Sequence, residues 1–276
     1  MRIDSHQHFW LYNQLEYDWI DDSMSLIRRD FLPQHLTAEL HKVGFDGSIA
    51  VQARQSLEET EWLLSIADSY PIIKGVVGWV DLQSSTVLDQ LKKYTAHPKF
   101  VGVRHVIQAE SDDNFILSNS FNKGISLLKD FGLTYDLLVF PKHLPNTIKF
   151  VEKYPELTFV LDHIAKPHIK EGLLAPWKDD IAKLAKFPNV YCKVSGMVTE
   201  ADWHNCKLPD FTPYLDVVFE SFGSDRVMIG SDWPVCLIAG NYPQVVKIVM
   251  DYISNFSDTE KLKILGGNSI TAYKLK

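Results

Sequence analysis

The stretch "RIDSHQHFW" at residues 2–10 places two histidines, one residue apart, at the end of a predicted β-strand. It is the first of eight runs rich in valine, isoleucine and aromatic residues. The others are "GSIAVQA" (47–53), "IIKGVVGWV" (72–80), "FVGVRHVI" (100–107), "LTYDLLVF" (133–140), "LTFVLDHIA" (157–165), "NVYCKVSG" (189–196) and "RVMIGSDWP" (226–234). Most are almost continuously apolar, which is typical of strands buried on both faces of a parallel sheet.

Amphipathic segments lie between these runs and predict helices. The clearest are "SLEETEWLLSIADSY" (56–70), "STVLDQLKKYTAH" (85–97), "NKGISLLKDFG" (122–132) and "LPNTIKFVEKYP" (144–155). Eight strands that alternate with helices over about 250 residues indicate an α/β fold, a (β/α)8 TIM barrel, rather than an open doubly wound sheet. No composition shift marks a boundary, so residues 1–276 are expected to form one barrel domain. The tail at 257–276 is expected to add one more helix.

Composition narrows the classes of partner. Hydrophobic residues make up 46% of the chain, charged residues 23%, and the formal net charge is -7. This balance, without a basic run, argues against nucleic acid or an anionic membrane surface as partner. No apolar stretch approaches the roughly 20 residues that span a bilayer, and the N-terminus does not resemble a secretory signal. The odd, widely spaced cysteines Cys192, Cys206 and Cys236 favour a reducing cytoplasm.

Polar side chains collect at the carboxyl ends of the predicted strands. In a TIM barrel, active sites are built at that end. The residues concerned are His6, His8, Gln52, Arg54, Arg104, His105, Asp162, His163, Lys193, Ser231 and Asp232. The opposite ends hold few such groups, so the sequence predicts a site at the C-terminal face. The segments 10–33 and 197–213 are longer than minimal connections and are expected to form loops over it.

His6 and His8 can face the same side because alternate residues of a strand project together. They could share one ion in the barrel mouth, or one could pack while the other contacts solvent. Asp232 follows an apolar strand and can therefore lie in the cavity, although it could instead cap the next helix or turn.

Alternation also separates neighbours. Only one of Asp162 and His163 can face the interior, and we expect His163 to do so, with Asp162 structural or supporting. The same holds for Arg104 and His105, of which His105 is the preferred catalytic candidate. Lys193 could polarise a carbonyl or pair with a buried acid.

Five tryptophans lie at or after strand ends: Trp10, Trp19, Trp79, Trp203 and Trp233. Flat aromatic faces suit the C–H faces of sugars, although core packing is the commoner role of each. The candidates for substrate contact are Arg54, Lys193, Trp79 and Trp233. Without a Walker motif, a GxGxxG after a strand or a GxSxG elbow, a nucleotide cofactor and an acyl-serine mechanism are disfavoured.

Several blocks resemble the lactonase-like branch of the amidohydrolase superfamily. They are "IDSHQHFW" (3–10), "VVGWVDL" (76–82), "YDLLV" (135–139), "VLDHIAKP" (160–167), "CKVSGMVTEADW" (192–203) and "SDWPVCL" (231–237). This branch includes L-fuconolactonases, L-rhamnonolactonases and pyrone-dicarboxylate lactonases, and the blocks are most similar to the L-fuconolactonase type. The resemblance implies a distorted (β/α)8 barrel that hydrolyses a sugar-derived lactone, a small molecule, to its hydroxy acid.

The resemblance also implies the core of the site. His6, His8, His163 and Asp232 match the family pattern and would ligate a metal. The run "YDLLV" lacks the histidine of two-metal relatives, which favours one divalent ion, zinc or manganese, whose requirement is left open. In the expected reaction Asp232 is the general base, and the histidines stabilise the oxyanion directly or through an ion.

Two other functions remain as alternatives. A metal-dependent decarboxylase of the same superfamily would release carbon dioxide instead of a titratable acid. A non-catalytic barrel that senses a sugar acid would bind lactones without turnover.

Overall fold

Eight parallel strands form the centre of the computed structural model, which describes all 276 residues. Each predicted apolar run contains one strand, and the strands pair in chain order. They are β1 (Ile3–Gln7), β2 (Gly47–Val51), β3 (Ile73–Gly78), β4 (Phe100–His105), β5 (Thr134–Leu137), β6 (Phe159–Leu161), β7 (Val190–Val194) and β8 (Val227–Ile229). A parallel bridge between Gln7 and Trp233 joins the last strand to the first. The predicted TIM barrel is confirmed.

One helix follows each strand, and two short helices end the chain. They are α1 (Pro33–Val43), α2 (Leu57–Ser69), α3 (Val87–Thr95), α4 (Asn119–Ile125), α5 (Leu144–Glu152), α6 (Trp177–Leu184), α7 (Leu208–Phe222), α8 (Tyr242–Tyr252), α9 (Asp258–Leu262) and α10 (Asn268–Ala272). The predicted segment 56–70 contains α2, and 85–97 contains α3. None of these helices combines the length and the apolar character that crossing a membrane requires.

The tail differs from its prediction. Instead of one helix, α9 and α10 are separated by a wider turn at Lys263–Gly267. Gly266 lies in this turn against the start of the chain, and a Cβ placed on it would come within 2.2 Å of the Met1 carbonyl oxygen. The close approach of the two chain ends therefore interrupts the helix, and no local pattern in the tail indicates it.

Strand side chains alternate between two apolar clusters. The larger cluster fills the layer between strands and helices and includes Val76, Phe159 and Leu161. The smaller one lies inside the barrel and includes Val77 and Val160, the alternate residues on the same strands. Polar side chains replace these apolar residues toward the carboxyl ends of the strands, which is where the site lies.

Candidate active site

A cavity of about 730 Å³ opens at the C-terminal face of the barrel. Strand ends form its floor with His8, Arg104, His163 and Asp232. The two long loops predicted to cover the site both line it. Segment 10–33 contributes Glu16, Asp18, Trp19 and Met24, and segment 197–213 contributes Thr199, Glu200 and Trp203.

Three imidazoles and one carboxylate converge on this floor. Nε2 of His6 lies 3.2 Å from Nε2 of His8. Oδ1 of Asp232 lies 3.3 Å from Nε2 of His8 and 3.8 Å from Nε2 of His6. The same carboxylate oxygen lies 3.9 Å from Nε2 of His163. All four side chains are buried. The structure therefore brings together the four residues that the family pattern marked as the core.

Strained backbone aims two of these side chains. His163 and Asp232 have left-handed conformations, with φ of 54° and 58°. Such conformations are rare outside glycine and often mark functional sites. At His163 the left-handed turn continues through Ile164, where the Nε1 of Trp177 donates a 2.7 Å hydrogen bond to the Ile164 carbonyl.

The left-handed turn also explains why Asp162 and His163 both reach the cluster. Strand β6 ends at Leu161, so strand alternation does not govern the two residues that follow. His163 lines the cavity, while Oδ1 of Asp162 lies 3.2 Å from Nδ1 of His6. His163 therefore lines the cavity and Asp162 supports His6, as expected, but strand alternation is not the reason, because β6 ends before both residues.

Gly196 leaves the space that the His163 ring occupies. Its φ is +60°, and a Cβ built on it would lie 2.4 Å from Nδ1 of His163. Ser195, next to it, has its Oγ 3.0 Å from the same ring nitrogen. Ser195 and Gly196, directly after β7, therefore fix the orientation of the His163 ring. Ser195 does so by a hydrogen bond, and Gly196 does so by leaving room for the ring.

The charges in the cluster are unequal at neutral pH. Burial favours a neutral Asp232, but His163, His8 and His6 outweigh it and hold the pKa of this carboxyl well below its usual value. Burial lowers the pKa of His163 to about 4, against the opposing effect of Asp232. Burial likewise lowers the pKa of His6, and Lys193 adds to the effect. The site therefore combines one carboxylate with neutral imidazoles at His6 and His163.

Hydrogen bonds decide which nitrogen of His8 carries its proton. Nδ1 lies 2.8 Å from the Val51 carbonyl oxygen, which can only accept. Nδ1 therefore carries a proton and donates it to Val51, while Nε2 faces the cluster.

This donor set fits one divalent ion. Zinc bonds of about 2.0–2.1 Å place neighbouring ligand atoms about 3.3 Å apart, and the three contacts among His6, His8 and Asp232 range from 3.2 to 3.8 Å. The hydrogen bond from Nδ1 of His8 to Val51 turns Nε2 of His8 toward the ion position, and Asp162 offers an acceptor for Nδ1 that would leave Nε2 of His6 free. The residues that would hold the ion are His6, His8 and Asp232, whose ligand atoms all lie within 4.8 Å of one another, and the predicted ligand His163 lies beside Asp232 at 3.9 Å.

A network of buried charges lies below the cluster. Lys193 is fully buried, with its Nζ 2.5 Å from Oδ2 of Asp136 and 3.0 Å from Oδ1 of Asp162. The same ammonium lies 3.2 Å from Nδ1 of His6. Pairing makes this burial tolerable, since an unpaired charge would be very costly there. Lys193 thus supports His6 from behind instead of lining the cavity, where it was predicted to contact substrate.

Arg104 takes the inward position on β4 that was expected for His105. Val103 lies in the strand–helix layer, and His105 shares its side. The His105 ring stacks on Phe115 at 4.9 Å between centroids, and its Nε2 lies 2.7 Å from Glu110. The expectation for His105 is wrong because alternation from a buried valine directs Arg104 into the cavity.

Of the four predicted substrate contacts, only Arg54 lines the cavity, where its Nη1 lies 2.8 Å from Oε1 of Glu16. The indole of Trp79 instead donates to Nδ1 of His105 at 3.4 Å. Trp233 is buried and packs edge-on against Phe31, with 5.2 Å between ring centroids. Both tryptophans therefore stabilise the surroundings of the site.

Other polar groups on the wall were missed. Lys166 and Glu200 both line the cavity, with Nζ and Oε1 3.7 Å apart. Burial raises the pKa of Glu200, opposed by Lys166. Glu200 lies in the predicted loop 197–213, which was the only signal that could have indicated it. Trp19 and Trp203, for which packing was the expected role, also line the cavity.

Comparison with known proteins agrees with this geometry. The chain is 38% identical to an L-fucono-1,5-lactonase of Burkholderia multivorans, over 100% of this chain and 96% of the relative. It is 38% identical to an L-fucono-1,5-lactonase of Burkholderia ambifaria, over 87% of this chain and 83% of the relative. The crystal structure of an amidohydrolase from Burkholderia multivorans with bound zinc superposes with a TM-score of 0.97, at 38% identity and 100% coverage of both chains.

The family model described as Amidohydrolase matches residues 3–275, nearly the whole chain. This match and the full-length identity to these relatives agree with the barrel fold. The chain belongs to the amidohydrolase family.

Proposed function

We propose that this protein is a lactonase, a hydrolase that opens a sugar-derived lactone of the L-fuconolactone type to its hydroxy acid. One observation carries the proposal: His8, His163 and Asp232, with His6 directly behind them, lie at the floor of a cavity in a chain 38% identical, along its full length, to an L-fucono-1,5-lactonase. The volume of about 730 Å³ accommodates a monosaccharide lactone with room for water.

Asp232 acts as the general base. Its low pKa keeps it ionised at neutral pH, and it lies at the cavity floor beside three imidazoles. It removes a proton from a water molecule, which adds to the lactone carbonyl. The protonated carboxyl then returns the proton to the ring oxygen as the ester bond breaks.

The imidazoles orient the carboxylate of Asp232 and stabilise the negative charge that develops on the carbonyl oxygen of the substrate. His163 and His6 are neutral, because their pKa values are lowered. A divalent ion bound by the cluster would act as a Lewis acid on the carbonyl. His8 is held by the hydrogen bond from its Nδ1 to the Val51 carbonyl oxygen, so its Nε2 faces Asp232.

The cavity wall recognises the hydroxyl groups of the sugar. Arg54, Lys166 and Glu200 offer charged hydrogen-bonding groups there. Trp19 and Trp203 add flat apolar faces that suit the C–H groups of a sugar ring. This combination favours a neutral polyhydroxylated lactone over an apolar ester.

We place this activity in the cytoplasm. All three cysteines are unpaired, and Cys192 and Cys236 are buried. Unpaired thiols are the rule in a reducing compartment.

A pH-indicator assay over a panel of aldonolactones, with and without a chelator, tests the proposal. Acid release should be fastest with lactones of L-fucose configuration, and no carbon dioxide should form. Carbon dioxide from aromatic acids without acid release from any lactone would instead support the decarboxylase. Tight lactone binding without turnover would support the sensing barrel.

A further inference from the structure

We propose that the guanidinium of Arg104 supplies, at the His6–His8–Asp232 cluster, the positive charge that a metal ion would otherwise supply. It donates a hydrogen bond to the carbonyl oxygen of the substrate and opposes metal binding. This inference rests on the proposed lactone hydrolysis, and it concerns how the site stabilises the negative charge that forms on the carbonyl oxygen.

The position of Arg104 is the first support. Its Nη1 lies 3.3 Å from Nε2 of His6, the nitrogen that would ligate an ion. The side chain lines the cavity although the residue is only 3% exposed, so its charge is poorly screened by water. An arginine stays protonated in a protein, so this charge is permanent.

Arg104 is also held in place. Nη1 donates to Oδ2 of Asp162 at 3.0 Å, and Nη2 donates to the carbonyl oxygen of Gln52. An ion bound to His6 would therefore stand beside a fixed cation, and the two like charges would repel each other. The guanidinium could move away only by giving up its hydrogen bonds to a buried carboxylate and a buried carbonyl oxygen.

The hydrogens of Nη1 leave one donor for the substrate. One of the two binds Asp162, and the other points toward His6 at a contact of 3.3 Å, longer than an ordinary hydrogen bond. A carbonyl oxygen above the cluster can replace that weak contact. A donor fixed in advance where negative charge develops is the usual basis of oxyanion stabilisation.

Lys193 supports the same arrangement from below. Its Nζ lies within hydrogen-bonding distance of Nδ1 of His6, at 3.2 Å. A second buried cation therefore lies against the ring that would ligate an ion, and its charge adds to the repulsion.

The other cations that line the cavity do not place a positive charge beside the His6–His8–Asp232 cluster. Arg54 pairs with Glu16 at 2.8 Å, and Lys166 lies 3.7 Å from Glu200. Both pairs lie on the wall, and neither cation contacts the cluster. Arg54 therefore provides a matched control, since its loss removes the same charge from the same cavity.

The test compares Arg104→Gln with Arg54→Gln. Zinc affinity is measured by competition with a chromophoric chelator, and kcat is measured on L-fucono-1,5-lactone after chelator treatment. Arg104→Gln should bind zinc about tenfold more tightly than wild type, because the repulsion is gone, whereas Arg54→Gln should stay within about twofold. Chelated Arg104→Gln should lose about a hundredfold in kcat.

Unchanged zinc affinity in Arg104→Gln, or an equal gain in Arg54→Gln, overturns the inference. If Arg104→Gln does not fold, the double variant Arg104→Gln/Asp162→Asn removes the buried pair together and must show the tighter zinc binding. If wild type opens no lactone, both proposals fail. If wild type opens lactones and chelated Arg104→Gln keeps its kcat, only the role of Arg104 fails.

Discussion

Asp232 and His163 show how single residues are held in unfavourable conformations for chemistry. Both have positive φ, and both present their side chains to the same point of the cavity floor. The strain is maintained by the surrounding structure, including the hydrogen bond from Trp177 to the turn after His163. Substitutions at this scale should affect turnover more than folding, provided that the new residue tolerates the backbone.

Asp232→Asn tests the general base. Asparagine tolerates positive φ and keeps the shape of the side chain, but it cannot accept a proton from water. We expect kcat to fall about a thousandfold, with a melting temperature near that of wild type. Exposed Asp258 provides the control, because Asp258→Asn removes the same charge far from the cavity. Wild-type turnover in Asp232→Asn would exclude this residue as the base.

Gly196→Ala tests the space beside His163. A Cβ would lie 2.4 Å from Nδ1 of His163 and would also meet the strain of φ +60°. We expect kcat to fall about a hundredfold, because a small displacement of the imidazole spoils the cluster. Gly172→Ala is the control, since φ is +67° there and nothing lies within 4 Å of the new Cβ. Equal kcat losses in both variants would assign the effect to backbone strain alone.

At the scale of elements, α2 connects the cavity wall to the loop above it. Glu59, in the first turn of α2, accepts hydrogen bonds of 3.0 Å from the backbone N–H groups of Ala53 and Arg54. Its other oxygen accepts a 3.3 Å hydrogen bond from the hydroxyl of Tyr17, in the loop 10–33. One buried carboxyl thus fixes the position of the segment after β2, which carries Arg54, relative to the covering loop 10–33.

Glu59 should make stability depend on pH. Burial raises its pKa from 4.5 to about 7, so the folded protein holds a proton that the unfolded chain releases. This contribution to the free energy of unfolding is complete below the unfolded pKa of 4.5 and is lost as the pH rises through about 7. The loss amounts to up to about 3 kcal/mol.

Glu59→Gln should remove this dependence, because glutamine does not titrate. Urea unfolding of both proteins at several pH values between about 4.5 and 8 measures this. The free energy of unfolding of wild type should fall relative to that of Glu59→Gln as the pH rises. Glu58→Gln is the control, since Glu58 is exposed and Ser56 lowers its pKa. A constant difference between wild type and Glu59→Gln across this range would contradict the prediction.

At the scale of the whole molecule, the barrel closes through side chains as well as backbone. Strand β8 has only three residues, and its junction with β1 relies on Asp4. Oδ1 of Asp4 accepts a 2.9 Å hydrogen bond from the Ser231 N–H, and Oδ2 accepts a 2.6 Å hydrogen bond from the Ser231 hydroxyl. Tyr242, at the start of α8, donates to Oδ2 at 2.9 Å. A buried carboxyl therefore joins the first and last units of the barrel.

Tyr242→Phe tests this closure. The variant leaves buried Asp4 with one donor fewer, and we expect the free energy of unfolding to fall by about 1–2 kcal/mol. Equilibrium unfolding in urea provides the measurement. Tyr252→Phe removes a hydroxyl that binds exposed Asp216 and should change stability by less than about 0.5 kcal/mol. Equal effects of the two substitutions would show that Asp4 does not depend on Tyr242.

The sequence by itself determined the architecture and the centre of the site. Eight apolar runs separated by amphipathic segments indicated the barrel, because strand and helix periodicities are local properties of the chain. The spacing of His6 and His8, and the positions of His163 and Asp232 at strand ends, indicated the cluster for the same reason. What these patterns show is which residues can face the barrel mouth.

Only the tertiary structure decided which of two adjacent residues faces the barrel mouth. Arg104 replaced His105, because the facing of a side chain depends on where its strand ends and on what packs behind it. Lys193 contacts His6 across 187 positions of the chain, and Arg104 contacts the same ring across 98. Such contacts form only when the sheet closes into a barrel, so no local pattern of residues contains them.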